Sequence, residues 1–403
     1  MTVKVSKPAI NIREKLSELE KPSGIAGEAL LRADTVQEVR DSIRAGRKNL
    51  IINGAMNVSQ RGTSTTGITA NASDFYACDR VKLYNAGGAG PTYTVSQEAD
   101  GPPGFNNSYK IITTTADTTL PSAHYTIIRL GIIEGQDLMR SKFGTSEAES
   151  LTASFWVKSN KTGKQTVLFV AHDAVQLQSG GTFEIHSSGV WEKKTVTVPG
   201  NTVTAWADNT SQAFTLDLFI AAGSSYMGGA AVGPVWGART ANTKAVDNLA
   251  IADATNNYFQ ITGVQLELGS VATDFEHRSY GEELALCQRY CYVIGHPSQV
   301  IYLGTGSMYT STAVNLSVPL PVQLRSTSPS FSRVTNGTGN WLNVYVGATG
   351  TVSNASPLQG DYTQSNLRIY IPGAHSGSSP SAPGAGVWSM VLAGAKLIIS
   401  SEL

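Results

Sequence analysis

Charged side chains are scarce in this 403-residue sequence, and neither sign is in excess. Lys and Arg together number 30, Asp and Glu together number 30, and the four types make up 15% of the chain, against roughly 25% in an average soluble protein. A chain without net charge has no long-range attraction for polyanions. Nucleic acid is therefore not an expected partner, and contact through shape, ring stacking and neutral hydrogen bonds is favoured.

Cysteines are few, and long apolar runs are missing. The chain has three cysteines, Cys78, Cys287 and Cys291, which is too few for a disulfide framework. Cys287 and Cys291 have no second pair of ligands at the spacing of a zinc site. No apolar run is long enough to span a bilayer, and the first residues lack the apolar segment of a signal peptide. We expect a protein made in a cytoplasm, with buried thiols and without membrane insertion.

Recognisable catalytic motifs are also absent. The sequence has no G-x-S-x-G elbow, no H-E-x-x-H pair and no phosphate-binding loop. His172-Asp173 lacks a partner nucleophile and is expected in an exposed turn. Any two carboxylates could still converge in space as in a glycosidase, so a glycan depolymerase stays open as an alternative. We expect no enzymatic activity and no cofactor, and we leave a structural calcium ion open without assigning its ligands.

The first 48 residues differ from the rest of the chain. Of these, 17 are charged, against 43 of the remaining 355. Asn11 with Glu14, and Thr35 with Glu38, have the spacing of helix capping boxes. Each predicted helix is two to three turns long, too short to be stable alone in water, so its apolar face needs a partner. We interpret residues 1–48 as a docking and oligomerisation segment; the alternative is an arm packed on the chain's own body. The apolar stripe residues are Ile12, Leu16, Leu19, Val36, Val39 and Ile43.

From residue 49 onward the apolar period changes to two. Ala153, Phe155 and Val157 alternate with polar neighbours, as do the apolar residues from Phe214 to Ile220. Gly-Gly and Pro-Gly pairs separate such runs. Short strands without intervening helices are typical of an antiparallel sandwich. The sequence therefore predicts a mainly β protein, with a jelly-roll body over residues 49–279.

A short helix is predicted between two β regions. Ser279 and Glu282 have the capping-box spacing, which opens a helix over Tyr280–Tyr290. We take residues 280–292 as a connecting joint and residues 293–403 as a C-terminal β-sandwich tip. The expected tip strands are Val314–Val318, Trp341–Val346, Leu367–Ile371, Val387–Leu392 and Lys396–Leu403.

Exposed aromatic side chains are the candidates for ligand contact. Neutral sugars are bound by aromatic faces together with a few amide and hydroxyl groups. Aromatic residues that alternate along a strand are more often part of the core. The candidates are Trp206, Tyr226 and Trp236 in the body, and Trp341, Tyr345 and Tyr362 in the tip.

Several longer motifs resemble a known family. They resemble phage tail-fibre proteins in which an anchor precedes a sandwich similar to carbohydrate-binding modules. The motifs are spread over the chain in order, and each is longer than a chance match. They are Ile10–Leu31, Asn49–Met56, Gln60–Gly62, Ile261–Ser270, Phe275–Leu284, Cys287–Tyr290, Pro319–Arg325 and Lys396–Leu403.

The resemblance implies a structural role in a virion. It implies a homotrimeric fibre, made in the host cytoplasm, that binds other tail or baseplate proteins through residues 1–48 and host cell-surface polysaccharide through its distal part. A capsid- or neck-associated decorating fibre and a glycan-cleaving tailspike are the alternatives. A free carbohydrate-binding module of a secreted enzyme is a further one, which the missing signal peptide opposes.

The interpretation of residues 1–48 as a docking and oligomerisation segment can be tested directly. We expect the full chain to be a trimer, because short amphipathic helices bury their apolar faces best between copies. A chain of residues 49–403 is expected to be soluble and β-rich, and to be lost from assembled particles. Light scattering at micromolar concentration and particle incorporation measure the two effects. A monomeric full chain, or normal incorporation of the shortened chain, would contradict this assignment.

Overall fold

The structure is a computed structural model that describes residues 48–403 except 174–175, 311, 337–338, 347–348, 354–357, 363–365 and 373–385. The chain divides into two compact units, residues 1–48 and 49–403. The predicted docking segment and the side chain of Tyr362 lie outside the described residues. The docking residues concerned are Ile12, Leu16, Leu19, Val36, Val39 and Ile43.

The body consists of short strands, as the period-two pattern predicts. In chain order its elements are β1 (Ser64–Ile68), β2 (Ala72–Phe75), β3 (Lys82–Ala86), β4 (Thr92–Glu98), β5 (Ser108–Thr115), β6 (Tyr125–Glu134), α1 (Gly135–Leu138), β7 (Leu151–Ser159), β8 (Gly163–Ala171), β9 (Leu177–Ile185), β10 (Glu192–Val198), β11 (Gln212–Ala222), β12 (Gly237–Ala238) and β13 (Tyr258–Leu268). Short 3-10 turns cover Met139–Ser141, Ser224–Tyr226, Ala241–Thr243 and Ile251–Asp253.

The body strands form two antiparallel sheets. One sheet has six strands in the order β1-β4-β5-β13-β7-β10, and the other has seven in the order β12-β9-β8-β11-β6-β3-β2. Side chains from both sheets form one hydrophobic core. Phe155 on β7 and Phe214 and Leu216 on β11 have no exposed surface, and burying each such side chain contributes roughly 1.5–3 kcal/mol. The predicted antiparallel β architecture is confirmed, while the trimer stays a prediction.

Strand β11 is central to its sheet and is buried on both faces. It pairs with β6 on one side and with β8 on the other. Phe214, Leu216 and Leu218 point to the core between the sheets, whereas Asp217 and Phe219 alternate with them and point to the outer face. Both outer-facing side chains are nevertheless buried. The outer face at this point is therefore covered.

The joint contains the predicted capped helix. Helix α2 spans Tyr280–Gln288, and the Ser279 hydroxyl accepts from the Glu282 amide while the Glu282 carboxylate accepts from the Ser279 amide. This capping box satisfies two otherwise unpaired amides. The helix ends two residues earlier than predicted, and Cys291 lies on the next strand. Cys287 and Cys291 are both buried, as expected for these thiols.

The tip consists of a small and a large sheet. Its strands are β14 (Cys291–Gly295), β15 (Ile301–Met308), β16 (Val314–Pro319), β17 (Ser330–Val334), β18 (Leu342–Val346), β19 (Thr349–Ser353), β20 (Leu358–Tyr362), β21 (Asn366–Ile371), β22 (Gly386–Val391) and β23 (Lys396–Ser400). The small sheet has the order β14-β23-β17, and the large one β19-β18-β22-β15-β16-β21-β20. All five predicted tip strands occur, and β14 begins two residues before the predicted tip boundary. Within the described residues, no helix has the length and apolarity needed to cross a bilayer.

A buried carboxylate joins the tip to the body. Glu134, at the end of β6, has no exposed surface. The Arg289 guanidinium donates to both of its oxygens at 3.0 and 2.9 Å, and the Tyr290 hydroxyl donates at 2.6 Å. Gln136 donates a further hydrogen bond at 2.8 Å. Burying a carboxylate costs free energy unless hydrogen-bond donors satisfy it. Here both oxygens of Glu134 accept hydrogen bonds.

A second ion cluster lies beside the first. Glu402, just after β23, accepts from Arg61 at 3.2 Å and also from Arg80. The Arg80 guanidinium lies 3.6 Å from the centre of the Tyr290 ring, a cation–π distance. The Gln60 amide donates to the Cys291 carbonyl at 2.7 Å. Burial raises the pKa of Tyr290, so its hydroxyl keeps its proton for Glu134.

The Glu134 contacts generate a stability prediction. Replacing Glu134 with Ala leaves Arg289 without its buried partner, and we expect a loss of about 3 kcal/mol in the free energy of unfolding. Glu147→Ala is the matched control, because Glu147 is 76% exposed where it pairs with Lys142, and exposed pairs contribute about 0.5 kcal/mol. Urea unfolding followed by tryptophan fluorescence measures both. Equal effects of the two substitutions would refute the structural role of Glu134.

Candidate functional site

A cleft on the outer face of the seven-stranded sheet is the candidate site. We call it the outer cleft; its volume is about 170 Å³, similar to a cavity that accommodates one six-membered ring. Strands β3, β6, β8 and β11 form its floor, and the segment 223–250 forms its wall. The side chains used below are Tyr84, Tyr125, Arg129, Asp217, Phe219 and Tyr226.

An ion pair occupies the middle of the floor. Arg129 on β6 and Asp217 on β11 are cross-strand partners. The guanidinium donates to both carboxylate oxygens, at 2.8 and 2.7 Å, and a third hydrogen bond runs from Arg129 to the Tyr84 hydroxyl at 3.2 Å. Asp217 is 2% exposed. Burial opposes the charge on Arg129, but the Asp217 carboxylate outweighs it and raises the pKa of Arg129.

Aromatic rings border one end of the cleft. Tyr125 packs edge-on against Tyr226 with ring centres 5.5 Å apart, and Phe219 lies 5.8 Å from Tyr226. Tyr84 has Arg129 over its ring at 4.8 Å. Tyr84, Tyr125 and Tyr226 are all partly exposed. A ligand ring can therefore meet aromatic surface and hydroxyl groups in the same place.

The wall segment is fixed to the sheet by backbone hydrogen bonds. The Gly223 amide donates to the His124 carbonyl at 2.8 Å, and the Thr166 amide of β8 donates to the Asp247 carbonyl at 2.8 Å. Within the wall, the Ala245 amide donates to the Tyr226 carbonyl at 3.0 Å. Ala245 is fully buried against the outer face. A Cβ on Gly223 would lie 2.0 Å from the Pro121 carbonyl oxygen, so only glycine allows this approach. The position of Tyr226 is thus determined by the fold.

Two basic residues of the wall complete the lining. The Arg239 guanidinium donates to the Gln176 side chain at 3.2 Å, and the Lys244 ammonium lies 6.0 Å from the Tyr226 ring centre. Burial, followed by the positive charge of Arg239, lowers the pKa of Lys244. Burial also lowers the pKa of Arg239, with Arg129 acting in the same direction and Asp217 opposing.

His172 lies at the edge of this charged region. Its Nε2 atom is 2.9 Å from the Thr215 hydroxyl, on the outer face of β11. Burial, and then the charge of Arg129, lowers its pKa to about 4. The predicted exposed turn is therefore wrong for His172: its side chain is half-buried beside the floor of the cleft. Its imidazole is neutral near pH 7.

The sequence-predicted aromatic candidates lie in different places, except that Trp206 and Trp236 both pack on the Phe143 ring. Trp206 is 6% exposed, stacks on Phe143 and donates to the Ser141 hydroxyl at 2.8 Å. Trp341 has no exposed surface. Neither indole presents a ring face to solvent, because both side chains belong to hydrophobic cores. Trp206 and Trp341 are therefore not candidates for ligand contact at the surface.

Of the remaining candidates, only Tyr226 lines the outer cleft. Trp236 is partly buried, and its indole donates to the Pro199 carbonyl at 2.7 Å. Tyr345 is partly exposed in the tip, where its hydroxyl accepts from Asn343 at 3.0 Å. The structure does not bring these three residues together. The side chain of Tyr362 is outside the described residues.

Sequence reasoning missed Arg129 and Asp217. A signal was present, because Asp217 is the one charged residue in the mostly apolar run from Phe214 to Ile220, and a charge in a central strand requires a partner. Its cross-strand partner could not be found without the register. Arg239 and Lys244 carried no local signal in their polar loop.

A second hollow lies near the end of β11. Its volume is about 520 Å³, and it is lined by small, polar and aliphatic residues, among them Asp117, Leu120, Ser224, Met227 and Asp253. No aromatic or basic side chain of the described residues lines it. In addition, no group of three or more His, Cys, Asp and Glu in the described ranges is placed to hold a metal ion. The outer cleft is the better candidate, because apolar surface and convergent polar groups coincide there.

Comparisons with known proteins give similarities of low score. No family model matches the chain, and no curated protein matches its sequence. The similar solved structures include the enzymatically active domain of tailspike protein 4 of bacteriophage CBA120, at 10% identity and a TM-score of 0.27 over 47% of this chain. This chain covers 19% of that protein.

Carbohydrate-binding modules are among the other similar structures. The family 11 module of a cellulosomal cellulase of Clostridium thermocellum matches over 53% of this chain and all of its own, at 10% identity and a TM-score of 0.26. A family 4 carbohydrate-binding module matches over 54% of this chain and 99% of its own, at 11% identity and a TM-score of 0.24. These scores are too low for any conclusion about this chain, so the function has to be argued from the cleft.

The low pKa of His172 predicts a pH effect on stability. Between pH 6.5 and about 4 the unfolded chain binds a proton at His172 that the folded chain does not, so stability falls as the pH falls through this range. Between pH 7 and pH 4.5, the melting temperature of His172→Gln is expected to fall less than that of the parent protein. His186→Gln is the matched control, because His186 is exposed. An unchanged pH dependence in His172→Gln would show that the effect lies elsewhere.

Proposed function

We propose that the outer cleft binds a carbohydrate and that the protein does so without cleaving it. The observation that carries the proposal is the partly exposed trio Tyr84, Tyr125 and Tyr226 beside the fixed Arg129–Asp217 pair. The rings offer surface to the apolar faces of a sugar, and the polar groups offer hydrogen bonds to its hydroxyls. Wall and floor are held in place before a ligand arrives, which lowers the entropic cost of binding.

The hydrogen bonds within the Arg129–Asp217 ion pair support a non-catalytic role. Both oxygens of Asp217 already accept hydrogen bonds from Arg129, so this carboxylate is engaged as a structural acceptor. A glycosidase needs a second carboxyl group roughly 5–10 Å away across the scissile bond. Asp217 is the one acidic residue among the described residues that line the cleft. This composition favours adhesion over hydrolysis.

We further propose that the chain is a fibre of a tailed-phage virion, attached through residues 1–48. Its support is the series of sequence motifs that resemble tail fibres, together with a β-rich body and tip that suit a mechanical role. Single sugar sites of millimolar affinity correspond to about −4 kcal/mol. Three copies of the cleft per fibre would raise the avidity by orders of magnitude without new contacts. A neck or capsid fibre is the alternative location.

The cleft residues test the carbohydrate proposal. We expect the purified protein to be retained on immobilised bacterial envelope polysaccharide, and Tyr226→Ala and Tyr125→Ala each to reduce retention about tenfold, since stacking of one ring contributes roughly 0.5–1.5 kcal/mol. Tyr280→Ala is the matched control, because Tyr280 is 60% exposed at the start of α2. Equal retention of all variants would place the binding surface elsewhere.

The same incubation tests the absence of cleavage. We expect the length distribution of the polysaccharide to remain unchanged after prolonged contact with the protein. Shortening that is abolished by changing one acidic residue would show an enzyme and contradict the proposal.

A further inference from the structure

The charge of the outer cleft differs from that of the whole chain. The chain has equal numbers of acidic and basic residues, yet the lining of the cleft has three basic residues, Arg129, Arg239 and Lys244, against the one acidic residue Asp217. Because both oxygens of Asp217 are engaged by Arg129, that pair is internally neutral. The surplus positive charge belongs to Arg239 and Lys244.

Arg239 and Lys244 have no carboxylate of their own. Among the described residues, no Asp or Glu lies within ion-pair distance of either side chain. Arg239 donates through Nη1 to the neutral Gln176, which leaves its other guanidinium N–H groups available. The Lys244 ammonium faces the neutral Tyr226 ring at 6.0 Å from its centre. Neither cation therefore has a carboxylate within ion-pair distance, and Asp217 acts on both only from farther away.

The surroundings make this arrangement costly for the empty protein. Both side chains are only partly exposed, and both lie close enough to Arg129 for its charge to act on them. Burial removes part of the hydration that stabilises the two positive charges, and a bound anion would stabilise them in its place. The attraction between the anion and the two cations would be stronger than at an open surface, because less water screens it. A neutral ligand would leave the two cations as they are.

We infer that the outer cleft takes an acidic sugar, whose carboxylate pairs with Arg239 and Lys244 while its ring lies against Tyr125 and Tyr226. A guanidinium fork matches a carboxylate in two parallel hydrogen bonds, and Lys244 stands beside the same rings. The ligand class is thus a uronic-acid-containing polysaccharide. This inference rests on the proposed carbohydrate binding and specifies its substrate class.

Matched pairs of oligosaccharides distinguish acidic from neutral recognition. The probes are tetramers of galacturonate, mannuronate and glucuronate, each with its carboxyl-reduced neutral counterpart, measured by titration calorimetry with the full chain. We expect at least one acidic tetramer to bind tenfold or more tightly than its reduced partner. Its affinity should fall as salt rises from 50 to 500 mM, because screening weakens the charge contacts.

Substitutions of Arg239 and Lys244 test whether these two residues contact the carboxylate of the sugar. Arg239→Gln and Lys244→Gln are each expected to weaken the acidic tetramer about tenfold and to leave any neutral binding unchanged. Arg239→Lys, which keeps the charge but loses the fork, should fall between the parent and Arg239→Gln. Lys193→Gln removes the same charge from the exposed face of β10 and is expected to have no effect. Unchanged melting temperatures confirm that the variants are folded.

The outcomes that overturn this inference differ from those that overturn carbohydrate binding. Equal affinity for acidic and reduced tetramers, lost in Tyr226→Ala, would keep a sugar site and refute the acidic class. Inorganic phosphate competing as well as the tetramer does would show an anion site without sugar recognition. Failure of every tetramer, with polysaccharide retention intact in Tyr226→Ala, would refute both proposals for the cleft.

Discussion

The ion pair of Arg129 and Asp217 is the constraint on which the candidate site depends. A carboxylate on a central strand with 2% exposure is tolerated only with full hydrogen bonding, and the cross-strand register provides that partner in a two-pronged geometry. The pair keeps the middle of the outer face polar while its neighbours Ile127 and Phe219 are apolar. The wall segment can then pack on the apolar part and leave a cleft over the polar part.

The junction between body and tip also depends on buried carboxylates whose oxygens are satisfied by hydrogen bonds. Glu134 and Glu402 are buried carboxylates that gather Arg289, Arg80 and Tyr290 around them. The sequence motif Cys287–Tyr290 therefore has a physical explanation: Cys287 fills the apolar side of α2, and the Arg-Tyr pair after the helix reaches the last residue of β6. Exposed ion pairs elsewhere on the surface contribute little by comparison.

Local patterns predicted the architecture well, and long-range contacts limited the prediction of the site. The capping box at Ser279 and the alternation in β11 depend on neighbours within a few residues, so they can be read from the sequence alone. The burial of Trp206 depends on Phe143 and Ser141, about 65 residues away in the chain, and a Gly/Ala/Asn-rich context gave no sign of it. Similarly, whole-chain neutrality concealed the surplus positive charge that Arg239 and Lys244 give the lining of the cleft, because a net charge carries no information about location.

The position of β23 sets the order in which the junction can form during synthesis. This strand lies between β14 and β17, and Glu402 meets Arg61 and Arg80 across sequence separations of 341 and 322 residues. A ribosome therefore releases the whole body sandwich before it makes Glu402, the carboxylate partner of Arg61 and Arg80. Because such distant contacts close slowly, we expect the body to assemble before this ion cluster forms. A nascent chain interrupted before β23 would carry a finished cleft on a body that still lacks the Glu402 contacts.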